Sequence, residues 1–487
     1  MGNKTTSLGG EAVRLTTSKV LTMLISLATG MLLSRFRTFE EYGTYSQMLL
    51  VINLFVSLLM LGLPNSINFF LSRADTQEER RHFLSVYYTL STMLSAIIGL
   101  VLILAIPIIE KYFHNPLIGK FYYFLALYPW ANIISSSIEN VLVVYKKTRF
   151  LMAYRLLNSI AMLGSVLVVQ WLGYGFSAYM ITFIIINSLF AVSVYIIASV
   201  LSGGTKLTFD KKLIRLIFTF SIPMGLATVV GTLNMEIDKL LIGYLMDTEQ
   251  MAIYTNAAKE LPLNIVASSI TAVLLPQLTR MVKGNKIKEA VKLWGYATEL
   301  AMIIIALIVF GIFTYAEDVM TILYSAKYLP GITVFRIYTL NLLLRVTYFG
   351  IMLNSFGETR KIFYCSIGSL ILNSILNPLF YWIFGMIGPA VATFISILII
   401  QQLQLIMTSR ITAVPFKEIF PWKKTGYILF VNFLLAPIFY LIKRVLPLET
   451  AIGDISESLI LGGVWSAIYL VIMKNRIMTA WHSLNKE

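Results

Sequence analysis

The residues in this chain best placed to do chemistry are charges set where charges are costly. The stretch "TLNMEIDKLLIGYL" (Thr232 to Leu245) puts Glu236, Asp238 and Lys239 within one helical turn of a long apolar run. Lys19, Glu139, Arg155, Lys259, Glu260, Glu299 and Arg345 fall inside other such runs. A charge at the centre of a membrane helix costs about 2.5–3.5 kcal/mol on insertion scales, so it faces a bundle interior or a wet cavity, or it pairs. Glu236 and Lys239 are spaced i, i+3 and can pair with each other. Asp238 points well away from Glu236 on a regular helix and is left for another partner. Lys259 and Glu260 are the nearest in sequence. Lys259, taken as helical, would lie level with Asp238, both about 12 Å in from the outer ends of adjacent antiparallel helices. Such a cluster locks two helices, holds an ion or a substrate, or does both. Lys19, Arg155 and Arg345 have no partner on their own helices. Arg14 and Glu299 read as interfacial. Polar stripes at helical spacing accompany these charges: Asn132, Ser136, Glu139 and Asn140; Asn341, Arg345 and Tyr348; Asn373 and Asn377.

Other chemistries find no support. One cysteine, Cys365, excludes an intramolecular disulfide and a multi-cysteine metal site. The three histidines (His82, His114, His482) lie in or near connections, which argues against a histidine-based catalytic or zinc cluster. No phosphate-binding loop of the GxxxxGK[ST] type occurs. No metal, no cofactor and no enzymatic activity are expected.

The elements that must position the charges follow from composition. The chain has 487 residues, is 57% hydrophobic and only 13% charged, against about 25% charged in soluble domains. Apolar runs long enough to cross a bilayer, about 20 residues each, recur throughout. Fourteen segments are read, roughly 12–35, 43–72, 83–109, 119–145, 150–172, 176–202, 212–246, 251–279, 288–314, 331–356, 361–383, 387–409, 425–446 and 455–474. Pro64 and Pro276 are expected to kink their helices, as fixed bends or as gating hinges. The first residues lack a cleavable-signal pattern, and the opening Met-Gly is taken as a chance match to a lipidation motif. Lys and Arg concentrate in alternate connections, among them Arg80, Arg81, Lys146, Lys147, Lys211, Lys212, Lys283, Lys288, Lys417 and Lys423. The positive-inside rule places these, and both termini, in the cytoplasm. The net charge of +15 is then explained by topology and by an anionic inner leaflet, with no nucleic-acid partner needed.

Landmarks in the first half recur about 210 residues later: Pro64 and Pro276, Thr148-Arg149 and Thr359-Arg360, Gly173 and Gly385, Thr182-Phe183 and Thr393-Phe394. The unit holds six segments, an even number, so both copies insert the same way round. The expected fold is an all-α polytopic membrane protein of about fourteen helices. It comprises a six-helix lobe (1–205), a second six-helix lobe (206–411) and two additional helices with a cytoplasmic tail (412–487). Facing six-helix repeats with a cavity between them suit a transporter.

"LLSRFRTFEEYGTYS" (Leu32 to Ser46), "MEIDKLLIGYLMDTEQMAIYTNA" (Met235 to Ala257), "VLLPQLTRM" (Val273 to Met281), "LYSAKYLPGITVFRI" (Leu323 to Ile337) and "GMIGPAVATFIS" (Gly385 to Ser396) together resemble the bacterial polysaccharide transporter family. That family contains the Wzx-type flippases of the multidrug/oligosaccharidyl-lipid/polysaccharide exporter superfamily. The resemblance implies a V-shaped cavity between two lobes. It also implies movement of a polyprenyl-diphosphate-linked oligosaccharide (an O-antigen, capsule or exopolysaccharide unit) from the inner to the outer leaflet of the bacterial plasma membrane by alternating access. The family's acidic-basic pair before "LLIG" falls on Asp238 and Lys239, and its arginine before the glycine-tyrosine turn falls on Arg35. A hydrated anionic headgroup cannot cross hydrocarbon unaided. Lys19, Arg35, Arg155, Lys259, Arg345 and Asn341 are the candidates to bind its diphosphate and sugar. Glu139, Asp238, Lys239 and Glu236 are the candidates for coupling or gating. Without an ATP loop the drive would be an ion gradient, H+ or Na+, or the substrate gradient. The partners implied are the lipid-linked sugar, membrane lipids and polysaccharide polymerase or assembly proteins.

Four rivals stand beside this reading. A lipid II-type flippase shares the fold and often carries more first-lobe arginines. A drug/cation antiporter usually has twelve helices and an acidic cavity. A membrane glycosyltransferase or polymerase would present its acids on large outer loops, which are short here. A scaffold in an envelope-assembly complex would not depend on interior charge.

Overall fold

A computed structural model describes residues 8–259, 261–446 and 453–485. Among these the only regular secondary structure is helix, with no strand. Helices of ten residues or more are numbered here, and shorter ones are named by range. The chain divides into two compact units, Met1–Ala252 and Ile253–Glu487.

The first unit contains α1 (Leu8–Phe36), α2 (Phe39–Met60), α3 (Leu63–Arg73), α4 (Gln77–Leu104), α5 (Tyr122–Val144), α6 (Thr148–Trp171), α7 (Phe176–Ser202) and α8 (Lys211–Leu245). The boundary between units falls within α9 (Thr248–Ala257). The second unit continues with α10 (Asn264–Lys283), α11 (Ile287–Thr314), α12 (Ile332–Leu344), α13 (Thr359–Phe384), α14 (Gly388–Thr412), α15 (Trp422–Val445) and α16 (Asp454–Asn485). Eleven stretches of the described residues are long and apolar enough to cross a membrane, one of them (Thr359–Thr412) holding both α13 and α14. The fold is that of an all-α polytopic protein with about 14 membrane helices. Large apolar side chains face outward at Leu104, Trp171, Ile196, Trp382 and Val471, as hydrocarbon rather than water requires.

Local sequence sets the helix ends. Thr38 and Thr76 each form a capping box, with Glu41 and Glu79 answering three residues on, which satisfies first-turn N–H groups that have no partner within the helix. Asp210 caps α8 through the N–H groups of Lys212 and Leu213. Those bonds, that to Leu213 first, and the His82 ring hold its carboxyl below the usual range.

The segment 202–212 is stitched down. The N–H of Lys206 donates to Ser85 Oγ and that of Thr208 to Thr89 Oγ1, both at 3.1 Å. The chain thus enters α8 anchored on α4, and α8 packs on α2 and α3. The division by repeat at 205/206 and the division by packing at 252/253 therefore differ by this one long helix.

Four expected continuous segments are broken. Segment 43–72 breaks at Leu61 and Gly62, both in the left-handed region, and restarts with Pro64 in the first turn of α3. Pro276 lies inside the unbroken α10, so the two repeat-related prolines do different things. Segment 83–109 is interrupted after Leu104, with a second helix at 106–113. Segment 251–279 breaks between Ala257 and Asn264, because Pro262 disfavours helix in the residue before it and removes an N–H. Segment 331–356 unwinds over 345–350.

At the first break, backbone meets backbone. A Cβ on Gly225 of α8 would stand 2.1 Å from the carbonyl carbon of Leu61. No side-chain adjustment relieves that overlap. Gly225→Ala is expected to destabilise the first unit by about 1–3 kcal/mol, the range for overpacking, and to lower the melting temperature of purified protein. An unchanged melt would mean that α8 is not seated on this turn.

Candidate functional site

In the first unit, α1 packs on α6, and α5 lies beside α6. This brings together three residues remote in sequence. Lys19 Nζ stands 3.2 Å from Glu139 Oε1, and Arg155 Nη2 bonds Glu139 Oε2. Glu139 is thus the shared partner of two cations, and the cluster carries one excess positive charge. It is open: the side chains of Lys19 and Glu139 are 60% and 38% exposed, while that of Arg155 is 16% exposed.

The next residue along α5 connects this cluster to a cavity. Asn140 donates to Pro64 O at 2.8 Å and accepts from Asn68 at 3.0 Å. Pro64 lines a cavity of about 470 Å³ together with Asn53, Ser57, Asn65, Thr228, Thr232 and Glu236. Glu236 pairs there with Lys239 at 2.8 Å, and Lys239 also donates to Met235 O at 3.2 Å. The i, i+3 pairing read from spacing is therefore formed. Asp238 is buried at 2% exposure, and the N–H of Lys239 donates to its Oδ1 at 2.8 Å. The two carboxylates go different ways, as helical geometry requires.

Arg35 ends α1 and is exposed. The buried arginine of that turn is Arg37, which donates to Tyr174 O at 3.2 Å. Spacing alone did not separate the two. Their places at the helix end do, since Arg35 lies in the last turn of α1 and Arg37 just past it, where its side chain reaches the carbonyl of Tyr174.

In the second unit Lys259 lies past the end of α9, in non-helical chain, and is exposed. The expectation that it projects from a helix eight residues in is corrected by the break before Pro262. It and Asp238 belong to different units. Glu260 and the side chain of Arg14 lie outside the described residues. Asn341, Arg345 and Tyr348 do not share a helix face, because α12 ends at Leu344. Arg345 and Tyr348 instead occupy the unwound stretch and line a cavity of about 520 Å³ with Ser268, Thr271, Gln401 and Gln404. Gln401 donates to Leu344 O, and Trp294 Nε1 to Thr347 Oγ1 at 2.9 Å, so freed backbone and side-chain groups of the break are answered. Asn341 is fully buried, with no hydrogen-bond partner for its amide among the described residues. Asn373 and Asn377 are buried on one face of α13.

Glu299, read as interfacial, is buried between Lys424 at 2.5 Å and Arg476 at 3.3 Å. Asp318 meets Lys443 at 2.5 Å and Ser458 at 2.6 Å. These two networks tie α15 and α16 to α11 and to the helix at 316–323.

A family model described as "Polysaccharide biosynthesis protein" matches residues 32–333. The probable lipid II flippase MurJ of Rickettsia prowazekii (strain Madrid E) is 24% identical over 190 residues, 38% of this chain and 34% of that protein. The match thus spans about a third of that relative's length. Among solved structures, lipid II flippase MurJ in an inward closed conformation superposes with a TM-score of 0.73 at 16% identity, covering 95% of this chain and 99% of that one. An inward-facing multidrug resistance MATE family transporter of the MOP superfamily gives 0.64 at 16% identity, covering 83% and 99%. These likenesses establish the fold, and the chain is a multi-pass membrane protein.

Glu139→Gln leaves Lys19 and Arg155 adjacent without a counter-charge. It is expected to lower the melting temperature more than the double substitution Glu139→Gln with Arg155→Gln, which removes the repulsion. A double variant at least as unstable as the single one would show that the three charges do not act as one cluster.

Proposed function

The chain belongs to the polysaccharide biosynthesis protein family, and from that premise we propose that it is a flippase for a polyprenyl-diphosphate-linked oligosaccharide. It carries no catalytic step in this reading; it moves the lipid-linked headgroup from the inner to the outer leaflet of a bacterial plasma membrane, with both termini in the cytoplasm. The observation that carries the proposal is the open, net-positive cluster of Lys19, Glu139 and Arg155. Within apolar helices a charge that is not fully matched needs either water or a ligand of opposite sign. A diphosphate is such a ligand, and Lys and Arg are the side chains that bind it through charge-assisted hydrogen bonds.

The remaining parts follow the same chemistry. Asn53, Asn65, Thr228 and Thr232 line the neighbouring cavity and offer donors and acceptors for sugar hydroxyls. Arg345, with Gln401 and Gln404, offers a second contact for an anion. Glu236 and Asp238 are the carboxylates available to carry a coupling proton or sodium ion. The name of the Rickettsia relative favours a second reading, a lipid II-type flippase, which differs in the sugar and not in the diphosphate. Arg155 and Lys19 would serve either.

The test is translocation in proteoliposomes, following exposure of a polyprenyl-diphosphate oligosaccharide on the opposite leaflet. A hydrogen bond to a charged group contributes about 1.5–3 kcal/mol. Arg155→Gln is therefore expected to slow translocation by about 10–100-fold, and Lys19→Gln by less, since Lys19 is the more exposed. Asp238→Asn is expected to abolish the dependence on the ion gradient. Folded protein that moves no lipid-linked sugar would sink the proposal. Transport of lipid II alone would move it to the second reading.

A further inference from the structure

A second basic site lies apart from these residues, where the first turns of α11 and α15 meet the connection from α14. It is a cavity of about 370 Å³ whose rim carries Lys288, Lys292, Lys417 and Lys423, with one carboxylate, Glu418. Lys424 also lines it but is engaged by Glu299. The four rim lysines are exposed, and none has an ion-pair partner among the described residues. Two helix N-termini open here, at Ile287 and Trp422, and the positive ends of both helix dipoles add to the field.

The floor is apolar. Phe420 is buried and stacks on Phe349 at 5.5 Å, and Trp422 packs on Phe420 at 4.8 Å. Trp422 also donates from Nε1 to Phe416 O at 3.2 Å, the posture of an aromatic ring at a membrane interface. From Lys423 an exposed stripe runs along α15 through Tyr427, Phe430, Leu434, Ile438 and Leu441. Their i, i+3, i+4 spacing makes it one continuous apolar face.

We infer that this pocket binds the headgroup of an anionic diacyl phospholipid, with the phosphate among Lys288, Lys292, Lys417 and Lys423 and an acyl chain lying along the α15 stripe. Basic pockets between membrane helices take such headgroups. A free phosphate would satisfy the lysines equally, but it would gain nothing from the aromatic floor or the stripe. The inference concerns a resident lipid and does not depend on what the protein transports.

The experiment is native mass spectrometry of the full-length purified protein with phosphatidylglycerol, phosphatidylcholine or inorganic phosphate. Phosphatidylglycerol is expected to bind about tenfold more tightly than phosphatidylcholine, because each lysine near a surface adds to the attraction for anionic lipid. The variant K288Q/K292Q/K417Q/K423Q is expected to bring that ratio close to one, and the corresponding four-arginine variant to keep it. Lys417→Gln alone, at an exposed position, carries the same test with a smaller loss if the fourfold variant does not fold. Equal binding of the two lipids, or a preference that survives the glutamine substitutions, would overturn the inference. So would inorganic phosphate binding as tightly as phosphatidylglycerol.

Discussion

Nearly everything in this structure answers to one constraint: a charge within hydrocarbon must find its counter-charge inside the protein. Four carboxylates show how it is met. Glu139 lies between Lys19 and Arg155, and Glu299 between Lys424 and Arg476; Glu236 takes Lys239, and Asp318 takes Lys443. Three of these arrangements join different helices, and so they fix helix contacts that apolar packing alone leaves free to slide. In a bilayer, apolar side chains gain little by exchanging lipid for protein. Polar and ionic contacts then carry more of the burden of specifying which helix lies beside which.

The same constraint governs where helices break. Backbone freed from a helix at membrane depth is tolerated only where protein or a wet cavity answers it. At 345–350 Gln401 answers Leu344, Trp294 answers Thr347, and a cavity opens beside Arg345. At Leu61 and Gly62 the turn is pressed against Gly225 of α8. Pro64 begins a helix after such a break and Pro276 continues one. In the first turn of α3 the missing N–H of Pro64 has no intrahelical partner to lose, whereas Pro276 inside α10 gives up a helix hydrogen bond that neighbouring packing must offset.

These points also mark what could be read from the sequence. The apolar runs gave the helical architecture, since spanning length follows from rise per residue. The Glu236–Lys239 pair was legible because its partners are one turn apart. The Glu139 cluster was not: Arg155 is 16 residues away on the next helix and Lys19 is on the first, so its members stood as separate candidates. Lys259 and Arg345 were placed on helices that stop just before them. The local signal was present at Pro262, but nothing in 345–350 announces an unwound stretch. Gln401 and Arg37 were missed because a side chain that answers a distant carbonyl leaves no mark in local spacing.

Among the described residues two carboxylates are held between two cations, and one is sealed while the other is open. Glu299 is 4% exposed, and its cations stack on aromatic rings, Lys424 over Tyr296 and Arg476 over Tyr427. The excess positive charge there is met by ring faces, and no ligand is needed. Around Glu139 the side chain of Lys19 is 60% exposed, and among the described residues no ring face stacks on Lys19 or Arg155. An anion arriving at that cluster must displace water from the exposed Lys19, and that desolvation offsets part of the attraction. The attraction remains weak enough for release, because solvent screens an exposed pair. In the proposed flippase reading, a site that takes up a headgroup and then gives it up needs that balance between attraction and screening. The buried cluster, by its sealing, is suited to holding α11, α15 and α16 together.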